Sequence, residues 1–409
     1  MIPMRGRSVC ACLWLAMAAP AAQPEGPQLA RILERMASNF ARIPNYTCTQ
    51  TIDRRRGLEP CPKCQYSDRL RLEVAVVGGK EQFAWPGAGG FGDRNIRELI
   101  GRGAILTGDF AGFAKNVFLT EGPIYSYAGE TRLGGRRALR YDYRVPVAHS
   151  GYRIQANRAE TIVGFSGSFW ADAETLDVLR LDLRTAGIPP HMDIQQADST
   201  IEYGRMRIGN SDFLLPQTTE TTVLFRDGFR NRNHTRYSAC HQYVGESTIR
   251  FGESDAASSG APREPSRGVE PQVPAGLSID TVLAEPLEFS QCAVGDAVTL
   301  VAASPARSGD FRVPKGALLR GRVVRFVEHA QPEPLVVLGL RVFTLEIGDR
   351  RMAFHGRLRD ARGLAVGRRP RKFPSEVTGA DGILFIGPGY SEVPRDLHFH
   401  WRTTMGENQ

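Results

Sequence analysis

The chain has 409 residues, 42% of them hydrophobic and 23% charged, and a formal net charge of +8, a length that suggests two or three domains. Only five of its 52 basic residues are Lys, and the 47 Arg are spread along the chain among acidic and apolar residues. Without a basic cluster this charge excludes a nucleic-acid-binding face.

The first residues, MIPMRGRSVCACLWLAMAAPAAQ, place Arg5 and Arg7 before an apolar run from Val9 to Ala19, with small residues at Ala18, Ala19, Ala21 and Ala22. That layout predicts a secretory signal over residues 1–22, cleaved between Ala21 and Gln23, and a periplasmic or secreted mature chain. The run is too short to cross a bilayer, which takes about 20 apolar residues. No later segment is long and apolar enough to do so.

Residues 23–251 form the first predicted domain. Over 26–43, Leu29, Ile32, Leu33, Met36 and Phe40 make one apolar helical stripe, with Pro27 at its start and Pro44 after its end. From Tyr46 the period changes to two. In "RLRLEVAVV" Leu70, Leu72, Val74 and Val76 alternate with Arg69, Arg71, Glu73 and Ala75, and in "LDVLRLDLRT" Leu179, Leu181 and Leu183 oppose Arg180, Asp182 and Arg184. Gly209-Asn210 and Asp227-Gly228 read as hairpin turns between long strands with polar outer faces. Residues 93–118 are helical in character. Ile96, Leu99 and Ile100 form one stripe there, and Phe110, Phe113, Ala114, Val117 and Phe118 form another. The arginine runs at 54–56 and 368–372, flanked by Gly or Pro, read as solvated loops.

Residues 252–276, rich in Ser, Pro and Gly, read as a linker. After it, short runs of β character bounded by Gly, Pro or Asp predict a small all-β, barrel-like domain over 277–409. The predicted fold class is thus mainly β (α+β): a curved antiparallel half-barrel sheet covered by short helices, plus the second barrel-like domain.

The mature chain keeps Cys48, Cys61, Cys64, Cys240 and Cys292. Outside the cytoplasm such thiols are drawn into disulfides. Cys61 and Cys64, in "PCPKCQ", lack the following helix that would depress a catalytic thiol's pKa. Zinc needs four ligands, and only the adjacent Cys240-His241 could complete the set, with side chains on opposite faces of a strand. The disulfide candidates are therefore Cys48, Cys61, Cys64 and Cys240. Either Cys48 joins Cys240 and Cys61 joins Cys64, or Cys48 pairs with Cys61 or Cys64 across the hairpin. Cys292 is left as a buried free thiol.

The remaining motifs point to no catalysis, cofactor or metal. "GFSGS" (164–168) has Ser168 where a serine-hydrolase elbow needs its second Gly. "GAGGFG" (87–92) lacks the strand-before, helix-after setting and the Lys of a phosphate loop. His149, His191, His234 and His241 share no ligand spacing, and Asp172 and Glu174 are turn carboxylates without a partnering cleft.

The signal, the first amphipathic helix and the long strands resemble the periplasmic lipoprotein-carrier half-barrels of Lol type. "NYTCTQTIDR", "GSFWADAETLDVLRLDL" and "CHQYVGESTIRF" are similar to uncharacterised secreted bacterial proteins of that architecture. The resemblance covers residues 26–251 and implies a hydrophobic concave face able to hold acyl chains. Residues 271–360, with "VPAGLSIDTVLAEPL", "VGDAVTLVAASP" and "FRVPKGALLRGRVV", resemble the small β-barrel domain of conjugation-type secretion channel proteins, in which a P-x-G turn opens each strand (here Pro274–Gly276 and Pro314–Gly316). The expectation is a non-enzymatic envelope protein that binds a lipid or an acylated protein and touches an envelope partner through its second domain. The alternatives are a structural or interaction protein with a filled core and, last, a disulfide-handling enzyme using Cys61 and Cys64.

Overall fold

The computed structural model describes residues 27–58, 66–88, 90–91, 96, 112–156, 159–243, 271–330, 334–362 and 382–405. The predicted export signal, Cys61, Cys64, the second arginine run and residues 252–270 of the predicted linker lie outside these residues. No helix among the described residues is long and apolar enough to cross a membrane.

The predicted first helix is α1, Pro27–Arg42. Its stripe is seated as the spacing required, with Leu29, Ile32 and Met36 buried and Leu33 and Phe40 packed beside them. A second helix, α2, spans Gly112–Phe118 and buries Phe113, Ala114, Val117 and Phe118. Of the other expected helical stripe only Ile96 is described, helical and buried.

Twelve strands follow α1: β1 Tyr46–Leu58, β2 Tyr66–Val77, β3 Lys80–Ala84, β4 Ile124–Leu133, β5 Arg136–Val145, β6 Arg153–Ala156, β7 Ala159–Ile162, β8 Gly164–Asp172, β9 Val178–Ala186, β10 Ile194–Ile208, β11 Ser211–Phe225 and β12 Phe229–Gln242. Ten of them pair antiparallel in the spatial order β4, β5, β8, β9, β10, β11, β12, β1, β2, β3, and β6 and β7 form a separate ribbon. The sheet is open, with β4 and β3 at its ends, and α1 and α2 cover one face. This is the half-barrel arrangement expected from the sequence.

Local chemistry sets the hairpins. Gly209, between β10 and β11, has φ +60°, and Gly228, between β11 and β12, has φ +84°, a region glycine enters without a Cβ penalty. Asp227 Oδ1 accepts the Phe229 amide at 3.0 Å, closing the second turn.

Two expectations need correction. The arginine run 54–56 is not a loop: it lies within β1, and Arg54 turns inward and is buried. In β9 the inward set is Val178, Leu181 and Leu183 rather than Leu179, Leu181 and Leu183. A bulge pairs Trp170 with Arg180 but Ala171 with Val178, and it puts Leu179 out of step.

The second unit contains β13 Ser278–Leu283, β14 Leu287–Glu288, β15 Ala297–Ala302, β16 Ala306–Ser308, β17 Phe311–Val313, β18 Leu318–His329, β19 Leu335–Ile347, β20 Arg350–Ala353, β21 Gly356–Arg362, β22 Ile383–Ile386, β23 Glu392–Val393 and β24 His398–Thr403. Its main sheet runs β21, β24, β13, β15, β18, β19, with β20 and β22 sharing the far edge of β19. Trp401, Leu300, Leu319, Leu340 and Phe399 fill its core. The P-x-G turns occur where the sequence puts them. Ala317 donates to Pro314 O at 3.3 Å and Gly316 has φ +86°, a type II turn feeding β18.

The two units share hydrogen-bonded sheet. One edge of β2 pairs with β1, and the other is divided: residues 73–77 pair with β3, while 66–68 pair with β18. Between them Arg71 N donates to Val294 O, and Val294 N donates to Arg69 O, both at 2.8 Å. The buried Arg322 of β18 lies 5.6 Å from the Trp85 ring centroid and donates to Pro86 O at 3.2 Å. Gly295 (φ +105°) passes so close to Arg71 O and Trp85 that a Cβ would collide with both.

Candidate functional site

The sheet's inner face can be followed strand by strand from the pairing. One cross-strand row reads Tyr141, Phe169, Leu181, Ile201, Thr219, Thr235, Ile52, Leu70. The neighbouring row reads Tyr143, Gly167, Leu183, Ser199, Thr221, Asn233, Arg54, Asp68. Both rows change character at β10. On the β5–β9 side they are aromatic and aliphatic, and from β11 to β1 they are chiefly hydroxyl, amide and charged.

The apolar half is one cluster with the helices. Phe118 of α2 meets Phe169 edge-on at 5.1 Å, Phe169 stacks on Tyr141 at 5.2 Å, and Phe113 meets Tyr152 at 4.9 Å. Each such pair contributes about 0.5–1.5 kcal/mol beyond its area. Burial raises the Tyr143 hydroxyl pKa well above the ordinary phenol range, with Tyr203 adding to the shift. Tyr143 therefore stays a neutral donor, and its hydroxyl bonds Asp182 O at 2.8 Å.

Two polar clasps fasten α1 over this cluster. Asn39 donates to Leu214 O and accepts from Leu214 N, both at 2.9 Å and buried. Asp177, in the β8–β9 turn, accepts from Arg35 of α1 at 2.7 Å and from Arg205 of β10 at 2.7 and 2.9 Å. Burial alone would raise the Asp177 carboxyl, but Arg205 and Arg35 outweigh it and hold the pKa below the usual carboxylate value. A depressed folded pKa stabilises above the unfolded value, about 3.9, and the contribution is lost as pH falls through the folded one. Protection of the α1 amides, taken relative to intrinsic exchange at each pH, is thus expected to fall selectively below about pH 4, with Asp177→Asn already less protected at neutral pH. Protection of the α1 amides that does not change with pH in that window would dissociate the clasp from docking.

The polar half is withdrawn from solvent. Gln50, Arg54, Ser199, Thr219, Thr221, Asn231, Asn233 and Thr235 are all buried. Arg54 Nε and Nη2 hold Asp68 Oδ1 and Oδ2 at 2.7 and 2.5 Å, a bidentate buried pair. Ser199 and Thr221 share a hydroxyl bond at 3.2 Å. Gln50 Oε1, Thr219 Oγ1 and Asn231 Oδ1 are buried without a hydrogen-bond partner. An unsatisfied buried hydroxyl costs about 1–3 kcal/mol. Thr219→Val, which keeps the shape, is therefore expected to raise the chain's stability by about 1 kcal/mol in chemical denaturation. A loss of that size would mean the hydroxyl is satisfied in solution.

Sequence reasoning placed Cys48 and Cys240 correctly as partners in one of its two pairings. They are joined, 192 residues apart, where β12 puts two residues, Ala239 and Cys240, opposite Cys48. Cys292 is a buried free thiol, and burial first, then Asp296, raises its pKa well above the thiol range. Ser166 and Ser168 lie in mid-strand β8 and not at an elbow. Asp172 is spent on its own turn, accepting the Glu174 and Thr175 amides at 3.0 and 2.8 Å. Among the described residues no group of three His, Cys, Asp or Glu side chains could hold a metal. The inner polar belt was not foreseen. Its sequence signal is the pairing of "TTETT" with "NRNHT", where Thr and Asn occupy every inward position of these two stretches (Thr219, Thr221, Asn231, Asn233 and Thr235).

No family model matches the chain, and no curated protein matches it. Among solved structures it is similar to a LolA superfamily protein from Nitrosomonas europaea (11% identity, 53% of this chain and 94% of that one, TM-score 0.29). It is similar also to an outer membrane lipoprotein-sorting protein domain from Vibrio parahaemolyticus (12%, 53% and 94%, TM-score 0.30). A third is a DUF1329 family protein from Desulfovibrio piger (11%, 54% and 93%, TM-score 0.29). Likeness at this level says nothing of ligand or role, and the architecture above stands on the strand pairing itself.

Proposed function

We propose that the chain is a non-enzymatic cell-envelope protein, exported by its leader, that carries the acyl chain of a lipid or an acylated protein on the inner face of the first sheet. The observation that carries this reading is the nature of the cover. The aromatic half is closed in part by α2, a helix of seven residues, and by α1, held at polar clasps. A helix of seven residues does not persist alone in water, so α2 owes its structure to the face it covers. A cover of that kind can give way to an acyl chain that makes the same apolar contacts.

The rival reading is a structural protein with a permanently filled core, whose second unit docks to an envelope partner. The packing of Phe113, Val117 and Phe118 into the sheet cluster favours it. One experiment separates them: extract the protein purified from its native host with organic solvent and analyse the extract by mass spectrometry. Stoichiometric acyl lipid supports the carrier. A lipid-free protein that also excludes an environment-sensitive apolar dye supports the filled core.

A further inference from the structure

We propose that the polar belt on the inner face is the seat of an uncharged, hydroxyl-rich head group of the amphipathic ligand whose tail lies on the aromatic half. This inference rests on the carrier reading above. Three buried groups on the belt lack partners: Gln50 Oε1 on β1, Thr219 Oγ1 on β11 and Asn231 Oδ1 on β12. All three side chains lie on the same face as Leu181 and Phe169, as the two-residue alternation and the pairing register require.

Gln50 pairs with Tyr237, six residues from Asn231 on β12. At about 3.3 Å per residue the unpartnered groups therefore span about 20 Å. That is a track for several linked hydroxylated units, not for one compact group. Buried polar groups in proteins are ordinarily satisfied, so an unpartnered series along one face calls for another molecule to complete the bonds. Hydroxyls suit it because each can donate to an amide oxygen and also exchange either role with a threonine hydroxyl.

The charge pattern narrows the class. Arg54 is neutralised at two points by Asp68 inside the belt. Arg205, towards α1, is likewise neutralised by Asp177, and Arg56 lies at the end over the Phe225 and Phe229 rings, 5.7 and 4.9 Å from their centroids. The stretch between Gln50 and Asn231 thus offers hydrogen bonds without net charge, which fits a glycosyl or polyol head and not a phosphate.

The test uses the whole chain and two ligands with the same twelve-carbon tail, dodecyl maltoside below its micelle threshold and methyl dodecanoate, titrated by calorimetry. Wild type is expected to bind the maltoside about tenfold more tightly, the equivalent of one or two net hydrogen bonds. Thr219→Val with Asn231→Leu is expected to bind both alike, with methyl dodecanoate unchanged. Thr219→Val alone, which keeps shape and volume, is expected to lose part of the difference and guards against a misfolded double variant. Equal binding of the two ligands by wild type overturns the head-group seat and leaves the carrier standing. Binding of neither removes the carrier as well.

Discussion

Replacing both Cys48 and Cys240 by Ala is expected to lower folding stability by about 4–5 kcal/mol, the chain-entropy value for a link that closes a very long loop. The two cysteines are 192 residues apart, and together they enclose nearly the whole first unit from β1 to β12. In the unfolded chain the bond forbids most of the conformations that a free segment of that length would explore. In the folded chain it adds little, because β1 and β12 are already paired from Thr49 to Leu58. The effect should appear in urea unfolding as a lower midpoint for the variant, and equally for the wild type under reductant. A loss under about 1 kcal/mol, at the low end of what disulfides contribute, would mean that the unfolded state keeps the two strands together without the bond.

The second large effect concerns Arg54 and Asp68. Asp68→Ala is expected to cost about 3–5 kcal/mol, because it leaves the Arg54 guanidinium buried without its countercharge. Replacing both residues with Leu should be close to neutral, or stabilising, since the desolvation of two charges disappears along with their attraction. The two single variants and the double one form a cycle whose coupling isolates the pair. If Asp68→Ala costs less than about 1 kcal/mol, the range of a surface pair, water reaches the inner face beside β2. The buried-belt account would then fail, together with the head-group seat.

Much of the fold could be read from residue order alone, and the reasons lie in contrast. In β2, leucine and valine alternate with arginine and glutamate, so the buried face declares itself. The α1 stripe and the Asp227-Gly228 turn declare themselves in the same way. The inner polar belt did not, because β11 and β12 carry polar residues on both faces. Where Thr219 and Thr221 face inward and Glu220 outward, alternation offers no difference in hydropathy. Only the register of five strands brings Ser199, Thr221, Asn233, Arg54 and Asp68 into one line. Arg54 was misread for a related reason: three consecutive arginines next to a glycine look solvated until the neighbouring Asp68 is in place. Leu179 was misplaced by a one-residue bulge, which shifts the side-chain alternation without changing composition.

The divided edge of β2 has a practical consequence. A fragment ending after β12 would strip away β18 and the Val294 segment and lay bare the backbone donors and acceptors of residues 66–71, beside buried Leu70. Raw strand margins of that sort recruit further copies. Anyone trimming the polypeptide to its sheet-and-helix half should therefore find clumping or head-to-head dimers, so the trailing half serves as a sheath that keeps its neighbour solitary.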